Sequence, residues 1–160
     1  MNGQANPNDR EGKATTIRRT FSRETSVSTQ IHADPEIVWA LLTHASDFPR
    51  WNSTVTSVKG EIREGETIEL KSMLDEKRIF KLKVKEMVPE QRLVWGDAMG
   101  IRVYKLVSGD GESTLFSMSE KIGGPLFPLF AGSIPSFDES FERFAADLKK
   151  EAETIQRSKK

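Results

Sequence analysis

Few side chains in this chain are able to do chemistry. It has no cysteine, which excludes thiol nucleophiles, thiolate metal sites and disulfides, and it has only two histidines. His32 falls at the end of a strand pattern and His44 at the end of a helix pattern, where an imidazolium suits the negative pole of the dipole. Neither is assigned a catalytic or metal role, and no cofactor is expected. What remains is a trio in the C-terminal half: Arg102, Glu120 and Tyr104, the one tyrosine of the chain.

Arg102 and Tyr104 stand two apart in the run 102–107, so as a strand they point to one side. Folding back across Gly109-Asp110-Gly111 sets Leu106 near Thr114, Tyr104 near Phe116 and Arg102 near Met118, with Glu120 on the same face. A charge on an inward face needs a counter-charge, and Glu120 is the natural one for Arg102. Two readings stay open. The pair is a structural salt bridge at the end of a sheet, or Arg102 grips a carboxylate or phenolate of a ligand while Glu120 orients it. Tyr104 is the candidate catalytic residue, a phenol able to protonate a departing oxygen.

The residues expected to surround this trio are apolar. Phe80, Leu82 and Val84 alternate with Lys81, Lys83 and Lys85, so one face of that strand is wet and Leu82 points inward. Trp95, Phe116 and Met118 come from other strands, Phe137, Phe141 and Phe144 from a helix, and Trp51 from a turn near the mouth. An apolar enclosure with a few polar tips is what a small-molecule site requires.

The element that must carry the aromatic wall runs from Ile134 to Ile155. Phe137, Phe141, Phe144, Ala145, Leu148, Ala152 and Ile155 recur at steps of three and four, giving one apolar stripe along a helix about 30 Å long. Ser136 followed by Glu139 reads as a capping box. A stripe of that length needs a broad apolar surface. Val27, Thr29 and Ile31 alternate as a first strand, Asp34-Pro35-Glu36 opens a short helix, and no helical signal interrupts residues 53–121. The fold class is therefore α+β: a curved antiparallel sheet of six to seven strands wrapped around a long C-terminal helix, with short helices after the first strand. The segment 122–134 places Leu126, Phe127, Leu129 and Phe130 among prolines and glycines, as packing under the helix or as a lid.

Residues 1–20 have little periodicity and read as a disordered tail, with Arg18, Arg19 and Arg23 as solvated cations; residues 21–157 form one domain. Acids and bases number 24 each, which argues against a general nucleic-acid binder. No run of eighteen apolar residues exists and no signal pattern opens the chain, so no integral membrane segment and a cytoplasmic location are expected. A homodimer is left open.

In order, Ile31-His32-Ala33-Asp34-Pro35-Glu36-Ile37-Val38-Trp39-Ala40-Leu41-Leu42, the turn Phe48-Pro49-Arg50-Trp51-Asn52, Leu93-Val94-Trp95, the Gly109-Asp110-Gly111 hairpin and the closing helix resemble the SRPBCC superfamily. This is the START-related, polyketide-cyclase-like group with the helix-grip fold of the birch pollen allergen. The resemblance implies a cavity between sheet and helix that binds or transports a hydrophobic small molecule of lipid, polyketide or aromatic type. Its alternatives are a polyketide cyclase or aromatase-like lyase and an interaction module of the kind that stimulates a chaperone ATPase. The last predicts a filled interior and an apolar surface patch at Leu126–Phe130. Ser53 stands where the family pattern often has proline, and no catalytic motif is matched.

Overall fold

The computed structural model describes residues 11–159. Its eight-stranded antiparallel sheet comprises β1 (Thr15–Arg18), β2 (Ser22–Ile31), β3 (Val55–Lys59), β4 (Thr67–Ser72), β5 (Asp75–Val88), β6 (Arg92–Gly96), β7 (Gly100–Ser108) and β8 (Thr114–Gly123). The spatial order is β1-β2-β8-β7-β6-β5-β4-β3, so the chain runs as a meander except where β8 returns to lie beside β2. Helices α1 (Pro35–Thr43) and α2 (Phe48–Trp51) join β2 to β3; α3 (Phe127–Phe130) and α4 (Asp138–Ser158) follow β8.

Each element forms where its apolar period allows. Val27, Thr29 and Ile31 are buried along β2 while Ser26, Ser28 and Gln30 are exposed. In α4, Phe141, Phe144, Ala145, Leu148 and Ala152 are buried, and the helix packs chiefly on β2 with α1 beside it. The strands curl around that stripe, and the core lies between sheet and helix.

Several local expectations change. One strand more than expected forms, because residues 15–18, placed within the tail, pair with 23–26 as an edge strand. The first ten residues of that tail lie outside the described residues. Helix α4 begins at Asp138; Phe137 is its N-cap without a side-chain bond, and Ser136 Oγ accepts only the Asp138 amide at 3.3 Å, so no capping box forms. Strand β3 stops at Lys59 because Gly60 takes φ +103°, a conformation that leaves the ladder. The β4–β5 connection is a two-residue turn at Met73-Leu74, so Asp75-Glu76-Lys77 belongs to β5.

The last hairpin shows the most consequential shift. Its closing pair is Ser108↔Thr114, with Gly109 N–H donating to Ser113 O and Ser113 Oγ to Asp110 O. This longer loop moves the register two residues from expectation: Arg102 faces Glu120, Tyr104 faces Met118 and Leu106 faces Phe116. A shift of two preserves which side chains point inward, whereas a shift of one would have reversed them.

Candidate functional site

The β4–β5 and β6–β7 turns and the segment before α4 open around a cavity of about 380 Å³ between β3–β8 and the first turns of α4. The wall is built by parity. Arg78, Phe80 and Leu82 come from the concave face of β5; Trp95 closes β6; Arg102 lies on β7; Met118, Glu120 and Ile122 lie on β8. Phe137, Ser140, Phe141 and Phe144 descend from α4, and Ser133-Ile134-Pro135 forms the rim.

Of the residues expected at the site, Leu82, Trp95, Arg102, Met118, Glu120, Phe137, Phe141 and Phe144 line the cavity. Trp51, Tyr104 and Phe116 do not. They form an aromatic layer behind the wall with Phe144 at its centre: Trp51, Tyr104 and Phe116 have ring centroids 5.8, 5.7 and 6.3 Å from that of Phe144. Trp51 sits under α4 because α2 turns its ring edge-on into Phe144, so it is core and not mouth. Tyr104 is sealed by Trp95, 5.0 Å away, and by Phe116.

The polar floor is the Arg102–Glu120 pair. As direct cross-strand neighbours their side chains meet with Nε–Oε1 at 3.0 Å, and they are 17% and 19% exposed. The guanidinium also stands 5.0 Å from the Phe141 ring centroid. Burial alone would pull the Arg102 pKa down, but the Glu120 carboxylate and the Tyr104 oxygen beside it hold the net shift upward. Burial pushes the Tyr104 phenol up to about 12 against the opposing pull of the Arg102 guanidinium; Tyr104 Oη lies beside that guanidinium without forming a well-aligned hydrogen bond to it. Tyr104 is thus a neutral phenol behind the wall, out of line with the proton-donor position considered for it.

Sequence reasoning passed over two arginines. Arg78 shares the parity of Phe80 and Leu82, which could have found it; its guanidinium lies 4.5 Å from the Phe80 centroid at the mouth. Arg23, read as a solvated tail cation, is buried: it donates to Ile134 O and Pro135 O at 3.3 and 2.9 Å and stands 4.9 Å from the Phe137 centroid. It pins the rim to β2, a contact across more than a hundred residues that no local pattern carries. Asp97, also on the wall, accepts the amides of Met99 and Gly100 and shapes the β6–β7 turn. His32 and His44 are exposed and line no part of the cavity.

This arrangement can hold a small apolar molecule and orient one polar end of it. Its polar lining comprises the Arg102–Glu120 pair, Arg78, Asp75, Asp97 and the hydroxyls of Thr54, Ser72, Ser133 and Ser140.

Comparison with known proteins agrees with the fold. Among the described residues no helix is long and apolar enough to cross a membrane. A START superfamily protein from Mycobacterium smegmatis superposes with a TM-score of 0.61 at 16% identity, covering 82% of this chain and 98% of the other. A conserved protein of unknown function from Enterococcus faecalis gives 0.67 at 17% identity, over 92% and 81%. A protein of the dynemicin biosynthetic locus gives 0.63 at 17% identity, over 84% and 49%. No curated protein matches the sequence. The family model for polyketide cyclase/dehydrase and lipid transport proteins spans residues 22–153, and the chain belongs to that family.

Proposed function

We propose that this protein binds a hydrophobic small molecule carrying an acidic group, in the cavity between sheet and C-terminal helix, and holds it without chemical conversion. The observation that carries the reading is the cavity itself: about 380 Å³, walled by aromatic and aliphatic side chains, with Arg102 and Glu120 as its innermost charges. That volume falls within the range of about 300–1,000 Å³ typical of small-molecule sites. A filled interior, which the chaperone-module reading requires, is at odds with this cavity. A cyclase reading loses Tyr104, the phenol considered for it, which is buried behind the wall.

The Arg102 guanidinium uses Nε for Glu120, leaving its outer nitrogens as donors toward a carboxylate or phenolate. Native mass spectrometry of the freshly purified protein, followed by denaturation and identification of what is released, tests the reading. Release of an apolar acid is the expected result. A clean apo mass together with failure of the protein to bind a fluorescent fatty acid would overturn it.

A further inference from the structure

Arg23 is the only buried charged residue among those described, at 4% exposed, and it has no ion pair there. Its fork spends Nη1 and Nη2 on the carbonyls of Ile134 and Pro135, and its guanidinium lies over Phe137. Carbonyl dipoles and a ring face lower the cost of burying a cation but bring no opposite charge. The β2–β8 register sets Glu120 diagonally across from it, since Arg23 faces Ile122 and Thr25 faces Glu120. That carboxylate is already bonded to Arg102 on its other side. One acid therefore stands between two arginines.

Counting outward leaves the excess at one positive charge. Arg23 and Arg102 outnumber Glu120 by one, and the next groups to act on Arg23, Arg18 and Asp138, are opposite in sign. Asp138 in addition accepts the Thr16 hydroxyl. Burial and Arg18 hold the Arg23 pKa below the usual arginine value, and the Asp138 and Glu120 carboxylates do not restore it. The other charges of the cavity come from turns: Asp75 and Arg78, both exposed and opposite in sign, follow the β4–β5 turn, and Asp97 is held by the Met99 and Gly100 amides. The two guanidiniums lie over consecutive wall rings, Arg23 at 4.9 Å from Phe137 and Arg102 at 5.0 Å from Phe141, and those rings stack at 6.1 Å. The uncompensated charge thus sits just behind the wall that Phe137 and the Ile134-Pro135 rim present to the cavity.

We infer that Arg23 is a specificity-determining residue of the cavity, its charge acting from behind the wall to select ligands with one negative charge over neutral or doubly charged ones. The inference rests on the reading of the cavity as a site for an acidic ligand and adds the charge state it takes. A monoanion brings the buried cluster to neutrality. A neutral head leaves the cation uncompensated, and a dianion replaces one buried excess charge by another of opposite sign.

Displacement of a bound fluorescent fatty acid from the full chain by decanoic acid, decanol or decyl phosphate tests it at pH 8, where the phosphate carries two charges. The wild type is expected to hold decanoic acid at least about tenfold more tightly than either of the others. Arg23→Gln keeps a donor for the rim carbonyls and removes the charge; it should weaken decanoic acid about fivefold and move decanol by less than about twofold. Arg23→Lys, which keeps the charge and gives up the fork, should retain the wild-type preference for the acid. Equal loss of acid and alcohol in Arg23→Gln makes the residue a strut for the rim, and a preference lost as fully in Arg23→Lys assigns the effect to the fork; either overturns the inference. So does a wild type that holds decyl phosphate as tightly as decanoic acid, a comparison that requires no variant to fold. Failure of the wild type to bind the fluorescent fatty acid refutes the ligand reading and this inference with it, whereas binding with an acid-to-alcohol ratio that Arg23→Gln leaves unchanged refutes this inference alone.

Discussion

Replacing Arg102 by methionine separates the two roles open to the buried pair. Methionine keeps an unbranched stem against Phe141 while removing the charge. What is lost is one charge-assisted hydrogen bond to Glu120, worth about 1.5–3 kcal/mol, and a cation–π contact worth about 0.5–1 kcal/mol. Both side chains keep roughly a fifth of their exposure, so solvent screens part of this, and a net loss of about 2 kcal/mol follows. Against a domain stability of about 5–15 kcal/mol the variant stays folded, with Tm lowered by about 4–8 °C. Adding Glu120→Gln should recover part of that loss, because the stranded carboxylate is no longer present.

Binding should respond more selectively than stability. Titration of a fluorescent fatty acid, and its displacement by a long-chain acid or by the matching alcohol, gives the two affinities. Arg102→Met is expected to weaken the acid about tenfold to a hundredfold, the equivalent of one charge-assisted bond, and to leave the alcohol within about threefold. Outright unfolding would make the pair a structural bridge. Equal loss for acid and alcohol would refute the assignment of Arg102 as the anion contact.

Two further outcomes follow from the aromatic layer behind the wall. Because Tyr104 is the one tyrosine, tyrosinate absorbance reports it alone, and its titration midpoint should lie near 12 in the folded protein. The folded value is above the ordinary 10.0, so its contribution to stability is complete below pH 10 and falls as pH rises toward about 12; urea midpoints of Tyr104→Phe should show a shallower alkaline loss and little change at neutral pH. Phe144→Ala removes the ring on which Trp51, Tyr104 and Phe116 converge, and should lower stability by about 3–5 kcal/mol while shifting chain-length preference toward longer ligands; an unchanged urea midpoint would show that the layer does not hold the wall.

What the sequence by itself determined was periodicity and parity. The step of three and four in Phe141, Phe144, Leu148 and Ala152 dictated a helix with one apolar stripe, and the alternation about Leu82 dictated a strand with one. Together they required a sheet gripping a helix. The inward side of Arg102 and Glu120 was legible for the same reason, since a period of two survives even a register error of two. Tertiary structure alone decided the rest, because these features depend on contacts between residues far apart in the chain. The length of the hairpin loop set Arg102 directly opposite Glu120. The crossing of α2 under α4 drew Trp51, Tyr104 and Phe116 into a solid layer, although as inward aromatics they are indistinguishable in sequence from Trp95 and Phe141, which remain at the wall. Arg23 reached across to the rim at Ile134 and Pro135, and the turns carrying Phe21 and Met99 were tied to the end of β8 through Gly124 and Gly123. Whether an inward side chain fills space or borders it is fixed by what packs behind it, and only the closed fold sets that neighbour.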